Sequence, residues 1–130
     1  MKLIVCLDDR NGMSFLGRRQ SQDAILRQDM LDYVAGVPLS MNAYSAAQFG
    51  DNSAVCVAEQ PAATGYWFVE NLAVEPFLPA EEVVIYRWNR HYPSDKKFPL
   101  AQALAGLQLV HTAEFPGSSH EKITREVYKK

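Results

Sequence analysis

The sequence has few of the residues from which metal sites and disulfides are built. It contains two cysteines and three histidines in 130 residues, and none has the spacing of a zinc site or a Cys-x-x-Cys pair. Cys6 and Cys56 each lie in an apolar, strand-like run, so both are predicted to be buried, reduced thiols. No apolar run approaches the about 18 residues of a membrane span. A disulfide scaffold, a structural zinc fold and a membrane-spanning helix are therefore excluded.

An excess of charge of one sign is also missing. Thirteen Lys plus Arg against fifteen Asp plus Glu give a formal charge of −2, so no global field draws the chain to nucleic acid or membrane. A content of 48% hydrophobic and 22% charged residues predicts a folded globular chain, and its length predicts one domain spanning residues 1–130. The start of the chain lacks the apolar stretch of a secretory signal, so a cytoplasmic location is expected.

Short β-rich runs alternate with helical patterns. Lys2–Leu7 is apolar throughout after Lys2, which is typical of a parallel strand buried on both faces. Val83–Trp88 is the strongest strand signal. Further strands are predicted at 38–41, 54–57, 65–69 and 107–115, and short helices at 43–49 and 99–105. This order predicts an α/β fold with a mixed, mostly parallel sheet flanked by helices.

The first helix is predicted between Ser21, as its N-cap, and Gly36 at its end, with Asp23 in the first turn. It carries one apolar stripe, formed by Leu26, Met30, Tyr33 and Val34. In residues 13–20, before this helix, apolar residues do not recur at the spacing of a helix or a strand, so this segment is predicted to be an exposed, mobile loop.

The last segment is open to two interpretations. Ser118-x-x-Glu121 matches a capping box and would start a helix. Ile123, Thr124, Val127 and Tyr128 are β-formers that follow a strand and a Pro-Gly turn, which favours a closing antiparallel hairpin.

Several motifs in this order resemble the dihydrofolate reductase family. Asp9–Met13 resembles the family's segment after its first strand, and Met41–Ser45 lies where the family has M-G-R-x-T. Val83–Tyr86, Ser94–Pro99 and Glu126–Lys130 are similar to its L-Y-L-T strand, its G-D-x-x-F-P turn and its last strand. The resemblance implies the fold of that family, with a C-terminal antiparallel hairpin.

The resemblance also implies site residues. Asp23 has the spacing of the carboxylate that binds the pteridine, and it is the candidate catalytic residue. The candidate cofactor-binding residues are Asn11, Gly12, Met13, Tyr44 and Ser45. A catalytic Asp23 would need a raised pKa; the alternative is a carboxylate that only stabilises the start of the helix.

Three departures from the family concern the cofactor. Ala43 replaces its arginine, Glu70–Asn71 replaces its Gly-Gly pair, and Arg18–Gln20 replaces its L-P-W. Only glycine permits close backbone approach to a dinucleotide, and arginine recognises a ribose phosphate. The cofactor thus stays unknown. An NADPH-like dinucleotide is one candidate, but the Gly-Gly pair and the arginine that usually bind it are absent. The predicted function is a nucleotide or small-molecule binding protein with lost or altered reductase activity.

The whole chain, notably at Asp8–Met13, Arg87–Arg90 and Ser118–Ile123, also resembles short bacterial proteins labelled ribonuclease Z. The histidine-rich zinc motif of true ribonuclease Z is missing, because His91, His111 and His120 lie far apart. Asp8 and Asp9, together with Glu70 or Glu121, are conceivable ligands of a divalent metal. Their spacing does not require a metal site, because adjacent residues of a strand point to opposite faces, and no metal is predicted.

A nucleic-acid-binding or RNA-processing role is the alternative function. Arginines interleaved with Trp88 and Tyr92 suit phosphate contact and base stacking. The arginines concerned are Arg10, Arg18, Arg19, Arg87 and Arg90.

The sequence has three further candidate features: a pair of serines beside a histidine, a histidine within a strand, and a pair of aromatic residues. Ser118, Ser119 and His120 suggest a nucleophile and base, although capping or a turn is favoured. His111 is expected to be partly buried. Tyr66 and Trp67 are considered as an exposed homodimer face.

Overall fold

Two sheets form the framework of the protein, described here from a computed structural model that covers residues 1–130. The larger sheet has seven strands: β1 (Lys2–Leu7), β4 (Leu39–Met41), β5 (Val55–Val57), β6 (Tyr66–Phe68), β7 (Glu82–Arg87), β9 (Gln108–Phe115) and β10 (Ile123–Lys129). They lie in the order β5-β4-β6-β1-β7-β10-β9. The first five in this order run parallel, and β10 runs antiparallel to both of its neighbours, β7 and β9. The predicted α/β fold class, with its mostly parallel sheet and closing hairpin, is confirmed.

The central strand β1 divides the core into two layers. Ile4 and Cys6 face the layer that contains the apolar stripe of helix α1 (Ala24–Val34). Leu3, Val5 and Leu7 face the opposite layer, because successive strand residues point to opposite faces. Two shorter α-helices, α2 (Ala43–Ala46) and α3 (Leu100–Leu104), and two 3-10 helices, Ala47–Phe49 and Glu75–Phe77, complete the helices. None is long and apolar enough to cross a membrane.

The predicted mobile loop at 13–20 is instead a β-hairpin. Strands β2 (Gly12–Phe15) and β3 (Arg18–Arg19) pair antiparallel, and β2 also pairs with β8 (Lys96–Lys97). The two turn residues, Leu16 and Gly17, have φ of 52° and 74°, as a tight hairpin turn requires. Local sequence patterns do not predict this hairpin, because its third strand comes from a segment about eighty residues away.

Several local predictions need correction. Asp23, not Ser21, is the N-cap of α1. Cys6 is buried as predicted, but Cys56 is exposed because it lies on the edge strand β5. His111 is exposed on the other edge strand, β9, rather than partly buried. Tyr66 and Trp67 are buried in the sheet interior, so they do not form an exposed dimer face.

Candidate functional site

Asp8 ends β1 and closes the turn that follows it. Its Oδ1 accepts hydrogen bonds from the backbone N–H groups of Gly12 at 2.7 Å and Arg10 at 2.8 Å, and its Oδ2 accepts one from Gln20 Nε2 at 2.9 Å. Burial alone would raise the pKa of Asp8, but these donors outweigh it and lower the pKa. Asp9 is exposed. No group of three or more His, Cys, Asp or Glu side chains lies close enough to hold a metal ion.

The three predicted cofactor residues after this turn make contacts within the protein. A Cβ on Gly12 would lie 2.7 Å from Ser94 Cβ, so glycine is needed there for packing against the chain itself. Asn11 Oδ1 accepts a hydrogen bond from Arg87 Nη1 at 2.6 Å. Met13 is buried in the core. Their role in binding a cofactor stays a prediction.

Glu70 follows β6 and places a carboxylate against helix α2. Its Oε1 accepts hydrogen bonds from Ser45 Oγ at 2.8 Å and Gln48 Nε2 at 3.0 Å, and Arg19 Nε lies 3.1 Å from its Oε2. Only 6% of Glu70 is exposed. The donors that α2, the turn after it and β3 present at this point are thus already bound to a carboxylate of the chain.

Tyr44 completes this cluster by fastening the β2–β3 hairpin to α2. The Arg19 guanidinium carbon lies 4.3 Å from the centre of the Tyr44 ring, and Arg19 Nη2 donates to the Tyr44 carbonyl at 3.1 Å. The Arg19 backbone N–H donates to the Tyr44 hydroxyl at 2.9 Å. Asn71 Nδ2 also holds the hairpin, through the Gly17 carbonyl at 3.0 Å. The predicted residues Tyr44 and Ser45 therefore lie in one polar cluster with Glu70.

Asp23 is a buried carboxylate with donors on both oxygens. Oδ1 accepts from the backbone N–H groups of Ile25, Leu26 and Ser118 at 3.0 to 3.1 Å. Oδ2 accepts from the Ser119 N–H at 2.9 Å and lies 3.0 Å from His120 Nδ1. Burial raises the pKa of Asp23, but these hydrogen bonds outweigh it and leave the pKa well below its usual value. A general acid would need a raised pKa at Asp23, whereas its pKa is lowered, and its contacts with Ile25 and Leu26 are those of the N-cap alternative. A catalytic role of Asp23 stays a prediction.

His120 links Asp23 to two hydroxyl groups. Its Nε2 lies 2.9 Å from the Tyr92 hydroxyl and 3.2 Å from Ser21 Oγ. The ring stacks on Trp88, with 4.6 Å between ring centres. Asp23 and His120 are 97 residues apart in sequence, so no local spacing predicts this pair.

None of the three cavities at the surface is lined by Asn11, Gly12, Asp23, Tyr44 or Ser45. The largest, about 520 Å³, separates α1 from the β9–β10 hairpin, and its one arginine, Arg125, is paired with Asp29. A cavity of about 300 Å³ separates the β2–β3 hairpin from the segment at Tyr92. It is lined by Phe15, Leu16, Arg18, Arg19, Gln20, Tyr92 and Pro93, and is called the hairpin cavity below.

The five arginines considered for nucleic acid differ in their surroundings. Arg19 is paired with Glu70, and Arg87 with Glu126 and Asn11. Trp88 is buried and is not available for base stacking. Arg10, Arg18 and Arg90 are exposed. Nucleic-acid binding stays a prediction, now limited to these three.

The comparisons with known proteins concern the fold. No protein-family model matches the chain, and no curated protein matches it in sequence. Nothing found supports the ribonuclease Z resemblance. Among solved structures, the chain is similar to dihydrofolate reductase from Enterococcus faecalis, complexed with NADP(H) and RAB-propyl, with a TM-score of 0.68 and 9% identity. The match covers 98% of this chain and 94% of that one, so the protein has a dihydrofolate reductase-like fold.

Proposed function

We propose that this protein binds a small aromatic anion, such as a nucleoside monophosphate, in the hairpin cavity, and that it does not carry out NADPH-dependent reduction. Arg18 is the observation on which the proposal rests. It lines the cavity and is exposed, and its guanidinium makes no hydrogen bond or ion pair within the chain. An unpaired guanidinium at a concave surface suits a phosphate or carboxylate, which it binds through two parallel hydrogen bonds.

The other lining residues support an aromatic group on that anion. Phe15 and Leu16 are 41% and 73% exposed at the cavity, so a planar ligand laid against them would remove apolar surface from water.

The cavity volume limits the size of the ligand. At about 300 Å³, it lies at the lower end of the ~300–1,000 Å³ range of small-molecule pockets. A mononucleotide is a better match than a dinucleotide for this volume. The Glu70 carboxylate also favours a mononucleotide over a dinucleotide. It is bound by Ser45, Gln48 and Arg19, the donors on which a dinucleotide phosphate would depend.

Thermal unfolding with a panel of nucleoside monophosphates and the matching nucleosides tests the proposal. A monophosphate at a hundredfold its dissociation constant should stabilise the protein by ~2.7 kcal/mol. The matching nucleoside should bind more weakly, because it lacks the phosphate that pairs with Arg18. Arg18→Ala should weaken monophosphate binding about 10-fold or more and leave nucleoside binding unchanged.

Arg90→Ala is the matched control, because Arg90 is an exposed arginine that does not line the cavity. It should bind the monophosphate as the wild type does. No shift with any compound would overturn the proposal. An equal loss in both variants, together with a steep fall of affinity for single-stranded RNA with salt, would favour the nucleic-acid alternative instead.

A further inference from the structure

Three side chains, Asp23, His120 and Ser21, form a hydrogen-bonded series beside the hairpin cavity, and the lining residue Tyr92 contacts the middle one. Asp23 Oδ2 lies 3.0 Å from His120 Nδ1, and His120 Nε2 lies 3.2 Å from Ser21 Oγ. Ser21 directly follows Gln20, which lines the cavity, and it is only partly buried. An acid on one ring nitrogen and a hydroxyl on the other is the arrangement that activates a serine nucleophile.

The acid end of this chain is held rigidly. The Asp23 carboxylate accepts three backbone N–H groups from α1 and Ser118 on one oxygen, and the Ser119 N–H on the other. An ionised carboxylate beside Nδ1 places the ring proton on that nitrogen and leaves Nε2 as an acceptor. The stack of His120 on Trp88 fixes the plane of the ring.

The position of the neighbouring serines selects Ser21 as the nucleophile. Ser118 Oγ accepts the backbone N–H of Ala24 at 2.9 Å. Ser119 Oγ lies 3.1 Å from His120 Nδ1, on the same nitrogen as Asp23. Ser21 Oγ is the serine hydroxyl on Nε2, the nitrogen that can take a proton.

We infer that Ser21, His120 and Asp23 form a site for acyl transfer from esters, a function that rests on the hairpin cavity as the place where the acyl group enters. Ser21 Oγ forms a bond to the ester carbonyl carbon while His120 Nε2 takes the Ser21 proton. The bond to the alcohol then breaks, and His120 returns the proton to the departing alcohol. Water hydrolyses the acyl-serine by the same route, which releases a carboxylic acid and restores Ser21.

The Tyr92 hydroxyl also takes part in this reaction. It lies 2.9 Å from His120 Nε2 and so competes with Ser21 for the single lone pair of that nitrogen. Tyr92 also lines the cavity. An ester carbonyl oxygen in the cavity would accept the Tyr92 O–H, which leaves Nε2 to Ser21 and supports the negative oxygen formed on attack. The substrates inferred are carboxylic esters of small aromatic anions, whose charge pairs with Arg18.

Covalent labelling with a fluorophosphonate tests the inference, and it does not require that the natural ester be identified. Ser21 attack on phosphorus releases fluoride, and the adduct is located by peptide mass spectrometry. The wild type should be labelled at Ser21 and should release p-nitrophenol from p-nitrophenyl acetate. Ser21→Ala should lose the adduct, and His120→Gln should label at least 100-fold more slowly.

Ser53→Ala is the matched control, because Ser53 is an exposed serine remote from the His120 ring. Circular dichroism and thermal unfolding establish that each variant is folded. Absence of an adduct on the folded wild type, or an adduct on another residue, would overturn the inference. Monophosphate binding without Ser21 labelling would refute the acyl-transfer site alone, whereas labelling without monophosphate binding would refute the proposed ligand alone.

Discussion

The carboxylate of Asp23 has more hydrogen-bond donors than a helix cap needs. Two of its donors belong to the first turn of α1, and the others come from residues 118 to 120. A single side chain therefore joins the start of α1 to the turn between β9 and β10. Gly117 leaves room for this contact, since a Cβ there would collide with Asp23 Oδ2.

Replacement of Asp23 by asparagine should change how stability depends on pH. The folded state lowers the pKa of Asp23, so its stabilisation is complete above the unfolded pKa of ~3.9 and is lost as pH falls toward the folded value. Asp23→Asn should cost about 2–3 kcal/mol at pH 7, and should unfold with a flatter pH dependence below pH 5. Urea unfolding between pH 2 and 7 measures both effects.

Asp51→Asn provides the comparison, because Asp51 is exposed and makes no hydrogen bond. It should keep the acid dependence of the wild type. If Asp23→Asn keeps that dependence as well, the ionised carboxylate does not hold the turn to the helix.

Sequence reasoning at the scale of single residues succeeds where the signal is local. Asparagine is a favoured N-cap residue, and Asn42, directly before the predicted helix at 43–49, caps α2 by accepting the Ser45 N–H. The sequence points to Asp23 but places its partner His120 in a turn, because their contact depends on how the β9–β10 hairpin packs against α1. Glu70 stands out in the sequence as a departure from Gly-Gly and as a conceivable metal ligand, and neither reading predicts its three donors, which come from two other segments.

The β2–β3 hairpin is fixed to the body of the protein at several points. Arg19 and Gly17 attach it to Glu70, Tyr44 and Asn71, while Leu16 N–H donates to Asp95 Oδ2 at 3.0 Å beside β8. These contacts explain why a segment without any hydrophobic period adopts regular structure. The strands and helices with strong local patterns are predicted to within a few residues, whereas the hairpin depends on contacts between distant segments.

Removal of the Glu70 carboxylate should convert its cluster into an anion site. Glu70→Ala leaves Ser45, Gln48 and Arg19 without their shared acceptor. The expected cost is about 3 kcal/mol, at the lower end of the range for breaking a buried ion pair, since Arg19 is 20% exposed. Inorganic phosphate should restore part of the lost stability in thermal unfolding, because an anion would accept the same donors.

Potassium chloride at equal ionic strength separates this effect from a general salt effect. Glu59→Ala, which removes an exposed carboxylate without a partner, should respond to phosphate as the wild type does. Equal responses of Glu70→Ala and wild type would mean that the donors do not converge on an anion.

At the scale of the whole molecule, a shared fold and a shared activity are separate properties. The chain superposes on nearly the full length of a dihydrofolate reductase with 9% identity, so the arrangement of strands is retained while the side chains differ. The order of elements follows from alternating strand and helix signals. The candidate catalytic and cofactor-binding residues, in contrast, do not line a common cavity. The Glu70 carboxylate accepts the Ser45 hydroxyl, and His120 contacts Asp23.

Dihydrofolate with NADPH tests whether activity accompanies the fold. We expect no protein-dependent loss of NADPH absorbance, because a dinucleotide would have to displace the Glu70 carboxylate from Ser45, Gln48 and Arg19. NADPH should also leave the thermal unfolding temperature of the wild type unchanged, which separates absent binding from absent turnover. A raised unfolding temperature would show that the Glu70 cluster opens for the dinucleotide. In that case the Glu70 cluster would control the access of NADPH to its site, and Glu70→Ala should bind NADPH more tightly than the wild type does.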